Sequence, residues 1–250
     1  MIAFIPCAGL GTRLKPLTDH RPKALVEYQG KPLLVHLIER LQAQGFDRFV
    51  LNLHHFAPML RDFATEYARR QGLQIAFSDE SEALLDTGGA LTHAYGSGLF
   101  AGEEEVLVHN VDVFSDLDLR GFSAAFSAKS PLPAGGTPAG ERPAALLSVR
   151  RRPSSRYLYA DAAGRLRAWR NEKTGQVKGE PISDSFNAFA FSGIHIIKCS
   201  LIDEWATAYG TDKPFSVIDA YLNASRHHEI LLQEQKDGFW KDMGKIEDFA

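Results

Sequence analysis

A three-layer α/β fold is predicted: a mainly parallel sheet flanked by helices on both faces, with a small antiparallel hairpin lobe. The strand-like runs are nearly all apolar, as strands covered on both faces are, and they alternate with segments of helical period. A Pro- and Gly-rich break across 127–142, followed by short runs separated by turn residues, predicts the antiparallel part.

The run from Ile2 to Ala8 reads as a buried strand closed by Gly9. Residues 31–44 carry Leu33, Leu34, Leu37, Ile38 and Leu41 at helical spacing, stopped by Gly45. A strand over 49–53, a helix over 57–70 and a strand over 73–77 follow. The pair Gly88-Gly89 precedes a helix over 92–99, and an apolar strand over 105–110 ends just before Asp112. The stretch 127–142 holds Pro131, Pro133, Gly135, Gly136, Pro138 and Gly140, and is expected to be a flexible loop. Strands are predicted at 145–150, 157–160 and 166–169 with a turn at Gly164, then a long buried strand over 186–197. Helices over 201–209 and 216–225 and closing strands over 230–235 and 238–242 complete the chain. No repeat and no dividing linker appears, so residues 1–250 are read as one domain.

A net charge of −3 argues against a protein built mainly to bind nucleic acid. No apolar run approaches the roughly 20 residues that span a bilayer. The N-terminus runs straight into a glycine turn without a basic leader, and Cys7 and Cys199 show no paired spacing. A reducing cytoplasm is the expected location, with neither nucleic acid nor membrane as a partner.

The strongest local signal is Gly9-Leu10-Gly11-Thr12-Arg13, followed ten residues later by Lys23 in Pro22-Lys23. A glycine turn after the first strand exposes backbone N–H groups that can cradle phosphate. Arg13 adds a planar fork of donors and Lys23 a mobile point charge. A tight turn with surface cations explains the GxG alone equally well. A dinucleotide fingerprint needs a third glycine where Leu14 stands, and a Walker A loop needs GK[ST], so neither of those loops is present. Asp112 stands at the carboxyl end of an apolar strand, where open α/β sheets place ligands, and can hold Mg²⁺. Taken alone, it reads slightly more readily as the cap of the next helix. Asp116 and Asp118 are read as caps or turn residues. Trp240-Lys241-Asp242-Met243-Gly244 offers a second carboxylate near a glycine.

Together these pieces resemble the sugar-phosphate nucleotidyltransferases, the Rossmann-like, glycosyltransferase-A-like enzymes that make NDP-sugars. The resemblance rests on Ala8 to Arg13 with Pro22-Lys23, Asp86-Thr-Gly-Gly89, Asn110-Val-Asp112, Phe191-Ser-Gly-Ile194 and Trp240 to Gly244. Within that family the chain looks most like single-domain uridylyltransferases acting on N-acetylmuramate 1-phosphate and the related mannose-1-phosphate guanylyltransferases. The segment from Arg152 to Leu158 shares that likeness, which covers the chain except 127–142.

The resemblance implies roles. Ala8, Gly9, Gly11 and Thr12 would hold the nucleotide, Gly88 and Gly89 would let the base lie against backbone, and Glu82 and Asn110 would read it. Asp112 and Asp242 would share Mg²⁺, while Arg13 and Lys23 would steady the departing pyrophosphate and the reacting phosphates. Glu172 and Lys173 resemble the pair that meets the sugar and its phosphate, with Gly193 behind the sugar. The partners implied are an NTP and a sugar 1-phosphate, and the chain is expected to be a monomer or small homo-oligomer. Val111 stands where the family carries glycine, and a β-branched residue there is expected to narrow the acceptor pocket.

Lesser features have plainer readings. His54-His55 and His227-His228 are read as loop or surface pairs. The arginines at 150, 151, 152, 156, 165, 167 and 170 are read as the solvated face of a hairpin, with a phosphorylated acceptor or a polyanion as the alternative. The motifs leave open a cytidylyltransferase acting on phosphocholine or another small phosphate ester. A non-catalytic nucleotide-sugar sensor and a polyanion-binding module are the readings outside that chemistry.

Overall fold

The computed structural model describes residues 1–128 and 142–249. The chain starts with β1 (Ile2–Ile5) and passes through two 3-10 turns to a ribbon of β2 (Glu27–Tyr28) and β3 (Lys31–Pro32). Then come α1 (Leu33–Ala43), β4 (Arg48–Leu53), α2 (Ala57–Gln71), β5 (Gln74–Asp79), α3 (Asp86–Gly96), β6 (Glu105–His109), β7 (Val113–Ser115) and α4 (Leu119–Ser127). The second half carries β8 (Ala145–Arg150), β9 (Arg156–Ala160), β10 (Leu166–Asn171), β11 (Val177–Gly179) and the long β12 (Asn187–Lys198). It closes with α5 (Cys199–Tyr209), α6 (Val217–Ala224), β13 (Ile230–Glu234) and β14 (Trp240–Asp242).

The main sheet runs β11-β10-β9-β12-β6-β1-β4-β5, with β8 also pairing β12 and β13 pairing β8. From β6 to β5 every pair is parallel, as the doubly buried apolar strands predict. β12 reverses direction against β6, and β8 reverses again against β12, so the carboxyl ends of β8, β6, β1, β4 and β5 share one edge of the sheet. Alternate residues feed two cores. Ile2, Phe4, Val106 and Val108 face one layer, and Ala3, Ile5 and Leu107 face the other.

Several boundaries differ from the sequence reading. β1 stops at Ile5 because the N–H groups of Cys7 and Ala8 turn away to the side chain of Asn52 (2.6 and 3.1 Å). α3 starts at Asp86, before the glycine pair, not after it. α4 was not anticipated; Leu119, Phe122 and Phe126 form its buried face, and the Asp118 carboxylate caps it by accepting from the Arg120 N–H. β7 is a further short strand, and β11 adds a third strand to the β9–β10 hairpin. The loop expected over 127–142 lies, apart from its ends, outside the described residues. Ser127 closes α4, and Arg142 pairs with Glu104 and Glu105.

Candidate active site

An open cleft of about 430 Å³ lies over the carboxyl ends of the parallel strands, where such sheets bind ligands. Pro6 to Gly9 form one wall, Asn110 to Asp112 the floor, Asn52 and Glu80 one end, and Lys23 reaches in from the 3-10 turn after Pro22. Among the described residues the N–H groups of Gly9 and Leu10 have no hydrogen-bond partner. The N–H of Ala8 is taken by Asn52, so the loop's free donors begin one residue later than the motif implied.

Gly11 holds a left-handed conformation (φ 62°). A Cβ there would meet Thr18 Cγ2 at 2.8 Å and Lys23 Cβ at 3.3 Å. The buried Thr18 hydroxyl donates to the Gly11 carbonyl (2.9 Å), which fixes the turn. The glycine thus lets the loop close onto Lys23. Thr12 is exposed and is not among the residues that line the cleft.

The Lys23 ammonium pairs with the buried Asp112 carboxylate. Asp242 arrives from the end of the chain: β14 pairs antiparallel with β7, Asp242 opposite Val113, and the Met243 N–H donates to the Asp112 carbonyl (2.7 Å). Burial, reinforced by the negative charge of Asp112, pushes the Asp242 carboxyl up, while Lys23 and Arg13 pull it back. Arg13 reaches this point over Gly244, where a Cβ would lie 2.5 Å from Asp242 Oδ1 and 2.8 Å from Arg13 Nη2. Two carboxylates and two cations from four separate segments therefore converge.

Asp242 Oδ1 is buried and has no well-formed hydrogen bond among the described residues, although the Gly244 N–H lies near enough to the carboxyl to favour its charged form. An orphaned carboxylate oxygen beside a second carboxylate is a donor set suited to a hard divalent cation such as Mg²⁺, which keeps most of its shell for water and phosphate. Among the described residues no cluster of three or more potential ligands exists, so these two supply what the protein can offer.

Asn110 and Gly193 also meet. The Asn110 N–H donates to the Gly193 carbonyl (2.9 Å), and a Cβ on Gly193 (φ 77°) would strike Asn110 Nδ2 at 2.8 Å. Val111 lines the cleft with its side chain packed in the core and without positive φ, so valine fits the backbone unstrained.

Other expected residues are placed elsewhere. Gly88 and Gly89 turn away from the cleft: a Cβ on Gly88 would meet the Phe215 carbonyl at 2.7 Å, and one on Gly89 would collide with the Lys213 carbonyl. The Gly88 N–H donates to Phe215 (3.1 Å), so the pair serves close packing of α3 on the 213–215 segment. Glu82 is exposed and outside the cleft; the carboxylate that lines it is Glu80, which is 3% exposed. Glu172 and Lys173 stand in the turn between β10 and β11, where Glu172 meets Arg170 and Tyr159 (3.4 and 3.5 Å) and no cleft residue.

Asn52 and Glu80 are the residues that motif reading missed. Asn52 Nδ2 donates to Glu80 Oε1 (2.9 Å) while its Oδ1 ties down the first turn of the loop. Burial pushes the Glu80 carboxyl up, with Asn52 opposing. A lone asparagine inside the apolar run Phe49 to Leu53 was the available signal.

The arginine cluster resolves into pairs. Arg165 and Arg167 bind Asp161, Arg167 also meets Glu180, and Arg151 meets Glu234.

A glycine turn, two cations and paired carboxylates thus stand together over the carboxyl ends of a parallel sheet. The chain belongs to the nucleotidyl transferase family, whose pattern matches residues 2–250. It is 42% identical over 112 residues to the N-acetylmuramate alpha-1-phosphate uridylyltransferase of Caulobacter vibrioides, covering 44% of this chain and 45% of that protein. It is 29% identical over 252 residues to the mannose-1-phosphate guanyltransferase of Gibberella zeae, covering 100% of this chain and 62% of that one. The matched parts thus span less than two thirds of these relatives. The fold is shared with HddC from Yersinia pseudotuberculosis complexed with GMP-PN, at 23% identity and a TM-score of 0.69, covering 99% of this chain and 96% of that one. It is shared too with the inositol-1-phosphate CTP transferase from T. maritima, at 15% identity and a TM-score of 0.72, covering 100% and 91%. No helix among the described residues is long and apolar enough to cross a membrane.

Proposed function

We propose that this protein transfers a nucleoside monophosphate from an NTP to a sugar 1-phosphate, giving an NDP-sugar and pyrophosphate in a Mg²⁺-dependent reaction. The observation that carries this reading is the delivery of Asp242 by β14 to the side of Asp112, between Lys23 and Arg13.

The free N–H groups of Gly9 and Leu10 would bind phosphate oxygens, and the Asn52–Glu80 end would receive the base. Asp112 and Asp242 would hold Mg²⁺, which neutralises phosphate charge and draws electrons from phosphorus when bound. The acceptor's phosphate oxygen forms a bond to the α-phosphorus as the bond to the β-phosphate oxygen breaks, and the electron pair leaves with pyrophosphate. Lys23 stabilises charge on the reacting phosphates and Arg13 on the departing one. An acceptor monoester is already ionised near neutral pH, with a second pKa of about 6, so no general base is needed. The lining of the cleft accordingly contains no histidine and no activated nucleophile; Cys7 is buried and its thiol is pushed up by that burial.

Names of the relatives make UTP with N-acetylmuramate 1-phosphate the first pair to test, and GTP with mannose 1-phosphate the second. Pyrophosphate release should be followed with each NTP against these acceptors, glucose and N-acetylglucosamine 1-phosphates and phosphocholine, with Asp112→Asn as control. Turnover on a sugar 1-phosphate that vanishes in the control supports the reading. Turnover on phosphocholine alone, or nucleotide binding without turnover, overturns it.

A further inference from the structure

Among the described residues three arginines of the hairpin cluster, Arg150, Arg152 and Arg156, have no acid partner. Of these only Arg152 stacks on an aromatic ring with its Nε buried and unbonded. Arg152 follows β8 at the same sheet edge as the cleft, and among the described residues no carboxylate lies within ion-pair distance of it. Its guanidinium lies 4.1 Å from the centroid of the Trp240 ring. Nη2 donates to the Phe191 carbonyl (3.0 Å) and Nη1 to the Pro153 carbonyl (3.3 Å), while Nε is buried and bonded to nothing. The loop that carries it is clamped by Tyr157, whose hydroxyl donates to the Arg152 carbonyl (3.2 Å) and accepts from the Ser154 N–H (2.9 Å). Trp240 is fixed in turn by its indole N–H on the Ser192 carbonyl (3.0 Å).

The position relative to Asp242 matters. Trp240 and Asp242 are two residues apart on one strand and so share a face. Stacking on Trp240 therefore places Arg152 alongside Asp242, whose charge is the largest favourable one acting on it. Across the sheet edge the order is Glu80 and Asn52 (β5 and β4), the loop after β1, Asp112 after β6, Gly193 on β12, then Arg152 after β8. The donor's base and phosphates take the β5-to-β6 half. An acceptor must enter from the β12–β8 half, where Arg152 is the cation in waiting. Half-burying an arginine whose nearest counter-charge, Asp242, lies beyond ion-pair distance is unfavourable, and a rigid fork with unused Nη donors matches an oxyanion bidentately.

We propose that Arg152 is an acceptor-recognition residue that binds an oxyanion of the sugar phosphate, either its phosphate or a carboxylate on the sugar. This rests on the reading of the protein as a sugar-1-phosphate nucleotidyltransferase. Steady-state kinetics of wild type, Arg152→Gln and Arg152→Lys would be run with N-acetylmuramate 1-phosphate, which carries a carboxylate, and N-acetylglucosamine 1-phosphate, which does not. Calorimetric Kd values for both acceptors, in the presence of a non-transferable NTP analogue, and the Tm accompany them. In Arg152→Gln the acceptor KM and Kd should rise about 10- to 100-fold, with NTP KM and Tm nearly unchanged and Lys recovering part of the loss. A rise for both acceptors assigns the phosphate; a rise confined to the carboxylate-bearing one assigns that group. Unchanged acceptor binding in a folded, active Arg152→Gln overturns the assignment alone. Equal loss for NTP and acceptor with a lowered Tm also overturns it, by making Arg152 only a brace for Trp240. Wild-type silence on every sugar 1-phosphate removes the functional reading and this assignment with it.

Discussion

Lys23 and Asp112 form an ion pair on the cleft floor that joins segments 89 residues apart in the chain. The pair keeps the Lys23 ammonium at the cleft, against the Asp112 carboxylate. On the proposed reading, substrate phosphates would take over the lysine while Asp112 would turn to a bound cation. Preorganised charge of this kind is worth more in a half-buried site than in water.

Asp112→Asn removes the charge and keeps the shape. Turnover should fall by about 100- to 1000-fold, the range for removing one preorganised electrostatic group. Calorimetry in the absence of acceptor should still detect NTP. Near-wild-type turnover in this variant would exclude Asp112 from the chemistry.

Gly244 is the crossing point of Arg13 and Asp242. Its φ is not positive, so alanine is tolerated by the backbone, but the added methyl must displace one of the two side chains. Gly244→Ala should lower kcat/KM by about tenfold, a loss of ~1.4 kcal/mol of transition-state stabilisation, with little change in Tm. A large fall in Tm with normal kcat would show that the glycine serves folding instead.

Asn52 holds three polar groups that have no other partner among the contacts it makes: the N–H groups of Cys7 and Ala8, and Glu80 Oε1. Asn52→Ala leaves them buried and unpaired, which should destabilise the protein by about 2–4 kcal/mol. Urea denaturation gives the value, and the NTP KM should rise because the phosphate loop loses its anchor. A change below about 0.5 kcal/mol would mean that the loop repairs itself.

Acid should weaken the fold through two core histidines. Burial holds His109 down to about 4 and His195 down to about 3, against an ordinary value near 6.5; a backbone bond to the Asn110 carbonyl (3.0 Å) partly offsets this at His109. Below pH 6.5 the unfolded chain binds protons that the folded one refuses. Stability is therefore full above pH 6.5 and is lost as pH falls toward 4, by about 2 kcal/mol per histidine at pH 5. His195 bonds through neither ring nitrogen and packs between Phe191 and Tyr221, so His195→Phe should fold and show a shallower decline by close to one proton. An unchanged slope in denaturation series at pH 7 and 5 would assign the acid sensitivity to other groups.

Local signals were sufficient wherever a residue's role follows from its own neighbours along the chain. The apolar runs of β1, β4 and β6 announced a parallel, doubly covered sheet, because a strand buried on both faces has no place for polar side chains. The glycine turn after β1, Lys23 behind its proline, and carboxylates at strand ends could be read for the same reason: backbone freedom and charge are properties of the residue type. The long-range pairings were decided by the tertiary structure alone. Gly88 and Gly89 look from sequence like room for a base, yet the space beside them is filled by Phe215 and Lys213 from 120 residues and more further on. Glu82 and Glu80 differ only in which side of a short turn each faces, and packing against Asn52 decides that Glu80 lines the cleft. Likewise the arginine run looks uniform until Asp161, Glu180 and Glu234 pair with Arg151, Arg165 and Arg167, while Arg152 lies on Trp240 beside Asp242. Sequence determines which groups the chain carries and how each segment folds locally; which of them meet depends on the three-dimensional closure of the sheet, since no periodicity encodes contacts made across a hundred residues or more.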